Sequence, residues 1–67
     1  MRDWLKEKRV EKGMTMADIS EKMGITESYY CLIENGERQK KMDIAIAMKL
    51  AAILNMPVGR IVELEGR

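Results

Sequence analysis

The chain holds one cysteine, Cys31, and no histidine among its 67 residues. It thus lacks the side chain that most often moves protons near neutral pH, and a lone thiol forms neither an intrachain disulfide nor a thiolate metal site. The carboxylates stand beside Lys and Arg along the chain, the pattern of a solvated surface rather than of a catalytic acid pair. No enzyme activity, metal, cofactor or small-molecule ligand is therefore expected. What remains is the chemistry of charge and contact. Arg38, Lys40 and Lys41 make the densest basic cluster, in the run Glu37-Arg38-Gln39-Lys40-Lys41 just after Gly36. Most such runs are solubilising loops; its place beside Asn35, at the end of a helix that carries Glu27, Ser28, Cys31 and Leu32, favours phosphate contacts instead.

Those groups need a scaffold, and the stretch from Thr15 to Gly36 supplies one. Thr15 followed by Asp18 is a capping box, so a helix should open at Met16 and run to Met23, with Gly24 in the left-handed conformation that ends it. Thr26 is a second N-cap, with Glu27 suited to the positive end of the next helix dipole. That helix should reach Glu34, turning Tyr30 and Ile33 inward, and Asn35-Gly36 tolerates the positive φ of its end. Two helices this short must cross closely and lean on others, and Ser20 is small enough to permit it.

A small residue at Ser20, Gly24 at the turn, Ile25 after it and Tyr30 and Ile33 inward together resemble the helix-turn-helix of the phage repressor and Cro (Xre-like) family. The resemblance runs from Leu5 to Leu64 and includes LKEKRVEKGMT, IENGER and KLAAILNMP. It implies an all-α, compact five-helix bundle of the lambda-repressor-like kind, with 1–67 as a single domain and 16–34 as the motif. It also implies a transcriptional regulator, a repressor of phage or mobile-element type, that binds a palindromic double-stranded DNA operator as a homodimer. Glu27, Ser28, Cys31 and Leu32 would then read bases in the major groove, while Arg38, Lys40 and Lys41 hold phosphates. Thr26 and Asn35 would reach phosphates with backbone amides. Met16 stands where the family commonly has a glutamine for positioning, and Leu32 replaces a frequent polar reader. In the family, residues matching Arg9 and Glu34 form a structural ion pair; both are present here. The family's frequent loop proline is missing.

The flanking segments complete the expectation. Residues 2–12 should form a first helix anchored by Trp4 and Leu5, with Lys8 either laying its stem along the core or marking where packing stops. Residues 43–54 are the most apolar, with Ala47, Leu50, Ala51 and Leu54 facing inward, Ile46 and Ile53 widening the stripe, and Asn55 ending it. Pro57 opens a last helix over 57–63, where Val58 and Ile61 should enter the core while Val62 and Leu64, surplus to it, should make a two-fold contact within 57–64. Met14, Met23 and Met56 read as gap fillers, and Glu65-Gly66-Arg67 as a frayed tail.

Composition limits the alternatives. Hydrophobic residues make up 46% and charged ones 34%, which fits a folded helical domain, but the net charge is only +1, so polyanion binding must rest on local distribution. The apolar run around 44–54 is interrupted by Lys49 and too short to span a bilayer, and no signal-like segment precedes MRDWLKEKR; a cytoplasmic protein is expected. A rival function is a protein-interaction or antitoxin-like module that uses the same partly acidic, partly apolar helix face.

Overall fold

The three central helices each begin at a side chain that accepts from an open backbone amide and end at a left-handed residue. The computed structural model describes residues 2–66, which form α1 (Asp3–Glu11), α2 (Met16–Met23), α3 (Glu27–Asn35), α4 (Ile44–Leu54) and α5 (Val58–Glu65), with no strand among the described residues. In α2 the Thr15 hydroxyl accepts from the Asp18 amide and the Asp18 carboxylate accepts from the Thr15 amide, both at 3.0 Å. Gly24 follows at φ 73°. Thr26 caps α3 by accepting from the Tyr29 amide at 3.1 Å, and Gly36 closes it at φ 82°. Asp43 accepts from the Ile46 amide at 2.8 Å and so caps α4 rather than joining it, and Asn55 ends that helix at φ 54°.

The core is one cluster drawn from all five helices: Leu5, Ile19, Met23, Tyr30, Ile33, Ile46, Ala47, Leu50, Leu54 and Ile61. The four-residue and three-residue spacings within it, Ile19 to Met23 and Tyr30 to Ile33, are the stripes that let α2 and α3 share one apolar seam. Ala51, Ile53, Met14 and Met56 pack against the cluster while remaining partly exposed. The radius of gyration, 10.6 Å, is close to the ~11 Å expected for a folded chain of this length.

Two expectations change, at Val58 and at the C-terminal tail, and Lys8 and Lys49 take places that the sequence left open. The Lys8 stem is half-buried with its ammonium 3.7 Å from Glu11, and the inward position one residue on is taken by Arg9, so α1 packs along most of its length through a charged side chain. Val58 stays exposed because it sits in the first turn of α5, and Ile61 alone of that helix is fully buried. The last helix continues to Glu65, which is anchored rather than frayed: its carboxylate accepts from the Trp4 indole at 2.8 Å and pairs with Arg2 at 2.9 Å. Arg67 lies outside the described residues. Lys49, which interrupts the apolar run in the sequence, donates to the Met23 carbonyl at 3.4 Å and so helps cap α2 from α4. No single helix is long and apolar enough to cross a membrane.

Candidate nucleic-acid interface

Ser20 is buried on α2, and its hydroxyl turns back to donate to the Ala17 carbonyl at 3.0 Å. The Gly24 and Ile25 amides donate to the carbonyls of Glu21 and Ser20 at 3.1 Å each, so the turn that separates the two helices is fixed by the end of α2 itself. With Tyr30, Ile33 and Glu34 inward, the opposite face of α3 is presented outward.

On that outward face Glu27 and Ser28 are exposed, and Cys31 and Leu32 are half-buried. Together with Met16 at the start of α2 they line one shallow, mostly apolar depression. The five residues are therefore brought together across the two helices. Thr26 is exposed, but its hydroxyl is engaged in capping, so what it leaves for an outside acceptor is the open amides at the start of α3. Asn35, the last residue of α3, is exposed, and its side-chain amide nitrogen lies 3.6 Å from the Cys31 sulfur.

Arg38, Lys40 and Lys41 are all exposed on the loop that leaves α3. That loop is held at several points. The Glu37 and Arg38 amides donate to the Leu32 carbonyl at 2.9 and 3.1 Å. Gln39, at φ 56°, donates from its side chain to the Tyr29 hydroxyl at 3.0 Å and accepts from the Asp43 amide at 3.0 Å. Tyr29 thereby anchors the loop to α3. Gln39 thus holds the loop in a left-handed turn.

Beneath the face lies a buried charge pair. Arg9 Nε donates to Glu34 Oε1 at 3.2 Å and Arg9 Nη1 to the Met14 carbonyl at 2.9 Å, tying α1 to the end of α3. Burial, followed by the nearby Glu34 charge, pushes the Tyr30 phenol far above its ordinary pKa and keeps it neutral. Val62 is 60% exposed and Leu64 half-buried. Val62 lines a groove with Ile61, Met42 and the loop residues Lys40 and Lys41, so the outer side of α5 adjoins the basic loop.

Two residues of this region escape sequence reasoning. Gln39 carries no local signal for a left-handed anchor, and Arg2, whose contacts reach three other segments, looks in the sequence like any terminal charge.

Comparison with known proteins agrees with this architecture. The family described as helix-turn-helix matches residues 5–61. An uncharacterised HTH-type transcriptional regulator of Bacillus subtilis strain 168, YqaF, is 40% identical over 45 residues, which are 67% of this chain and 59% of that protein. The chain thus spans less than two thirds of that relative's length. No solved structure matches it. The matched region takes in α2, the turn and α3 together with the core that supports them, and the chain belongs to the Xre-type helix-turn-helix family.

Proposed function

We propose that this protein is a sequence-specific double-stranded DNA-binding transcriptional regulator, a repressor of phage or mobile-element type, acting in the cytoplasm as a homodimer on a palindromic operator. The observation that carries the proposal is the adjacency of two unlike surfaces. The outward face of α3 is uncharged apart from Glu27, and the loop that follows it carries three exposed cations, Arg38, Lys40 and Lys41. Phosphates attract charge irrespective of sequence, whereas base edges are discriminated by shape and hydrogen bonding, so a DNA reader divides its surface in this way.

In this arrangement α3 enters the major groove. Glu27 accepts from a cytosine amino group, Ser28 hydrogen-bonds either way, and Leu32 with Met16 and Cys31 packs on a thymine methyl. The open amides at the starts of α2 and α3 and the Asn35 side chain meet phosphates beside the loop. Val62 and Leu64 join two copies, which sets the two α3 helices roughly 34 Å apart, one turn of DNA.

A second function, docking to a protein partner through the same face, is favoured by its apolar depression and by the net charge of only +1. Titrations at several salt concentrations separate the two. For a DNA reader, Lys40→Ala or Lys41→Ala weakens binding to all duplexes alike and lowers the magnitude of the log-affinity against log-salt slope by ~1. Ser28→Ala or Leu32→Ala changes base preference, by about 1 to 3 kcal/mol per lost contact, at nearly constant slope. A wild-type protein without salt-sensitive affinity for any duplex would turn the search to a protein partner.

A further inference from the structure

Arg2 is 7% exposed, yet it is the most connected polar side chain in the molecule's described part. Its amide donates to the Glu34 carbonyl at 2.8 Å. Its guanidinium donates to the Ile33 carbonyl, to the Arg38 carbonyl at 3.2 Å and to the Gln39 carbonyl. Nε faces both Glu65 oxygens, at 2.9 and 3.0 Å, and the Trp4 indole holds the same carboxylate at 2.8 Å. One side chain therefore joins the start of α1, the last turn of α3, the backbone of the basic loop and the end of α5.

We propose that this Arg2–Glu65 clasp is the positioning device of the phosphate-binding loop. Arg2 is too buried to touch DNA. Instead, its forked donors fix the carbonyls of residues 38 and 39, on either side of which Arg38, Lys40 and Lys41 emerge. Glu65 compensates the charge of this buried cation, so the order of the loop is linked to α5 being seated. Three flexible side chains on an unfixed loop lose more freedom on meeting phosphates, and one or two of them no longer reach the backbone, so both the affinity and the number of neutralised phosphates fall. The inference rests on assigning the loop to phosphates, and it gives a terminal arginine a part in affinity that its distance in sequence from the motif conceals.

The experiment compares the full chain with Arg2→Met and Glu65→Gln, using a random-sequence duplex at several salt concentrations and amide hydrogen exchange. Arg2→Met is expected to bind about ten-fold more weakly, with the salt slope reduced by ~1 to 2. Amides of residues 38–42 exchange faster while those of α2 and α4 keep their protection. Glu65→Gln, which retains an acceptor for Trp4 but removes the charge, shifts the same quantities less far. A folded Arg2→Met variant with the wild-type salt slope and wild-type exchange in the loop overturns the proposal; if that variant does not fold, Glu65→Gln decides by the same two readouts. Should the wild-type chain bind no duplex, the DNA function fails, and the clasp is judged by loop exchange alone.

Discussion

Replacing Arg9 with methionine tests how this small fold is held together. The Glu34 side chain is wholly buried and that of Arg9 is 10% exposed, with one 3.2 Å contact between them. Glu34 Oε2 and the Tyr30 hydroxyl have no hydrogen-bond partner among the described residues. At 3.2 Å the attraction is about 5 kcal/mol for an effective dielectric constant of ~20, and removing two ions from water offsets most of it. The intact pair thus contributes little net stability. Arg9→Met is different, because it leaves a buried carboxylate without its partner and should cost about 3 to 5 kcal/mol. A 67-residue domain has only ~3 to 10 kcal/mol in total, so the variant should melt at least about 12 °C lower. Arg9→Met combined with Glu34→Leu should recover most of the loss, since neither charge is then stranded. Urea and thermal unfolding followed by far-UV circular dichroism and Trp4 fluorescence give the free energies of all three proteins. A single variant losing less than about 1 kcal/mol, or a double variant less stable than the single, would refute the reasoning.

Three further outcomes are expected. The Asp18 carboxyl lies below its ordinary pKa because it accepts the Thr15 amide, so its contribution is present above the unfolded value of about 3.9 and is lost as pH falls through the lower folded value. The stability difference between wild type and Asp18→Ala should accordingly shrink below pH ~4 in acid titrations of unfolding. Replacing a contacted thymine with deoxyuridine should weaken wild-type binding about four-fold, the worth of one buried methyl group, and Leu32→Ala should be insensitive to the same replacement. Val62→Asp should yield a monomer by sedimentation equilibrium with folding free energy changed by no more than ~0.5 kcal/mol, since Val62 is 60% exposed; a wild-type protein that is monomeric at high micromolar concentration would remove the two-fold contact.

Local chemistry made the helices legible. Thr15 with Asp18, Thr26 with Glu27, Gly24, Gly36 and Asn55 act within one or two turns, so their meaning survives without a structure, and the left-handed φ values of 73°, 82° and 54° fall on those last three residues. The inward stripe of α2 and α3 was equally legible, because spacing alone assigns Ile19, Met23, Tyr30 and Ile33 to one side. What sequence could not supply was partnership across the chain. Arg2 meets Glu65 across 63 positions, Lys49 meets Met23 across 26, and Gln39 bridges Tyr29 and Asp43 from a conformation that glutamine seldom adopts. No spacing rule encodes these. Val58 shows the converse, an apolar residue whose type suggested the core while its place in the first turn of α5 left it outside. For the residues proposed to face bases, the sequence indicated the helix and the candidate Met16, and the structure adds that Met16 lines one depression with the α3 side chains.

Selection of the wild-type chain against a random duplex library addresses function and symmetry together. Recovery of an enriched palindrome, with half-site centres about one helical turn apart and thymines opposite the Leu32 face, is the predicted result. Failure to enrich any sequence, at an ionic strength low enough to favour phosphate contacts, would contradict DNA reading by α3.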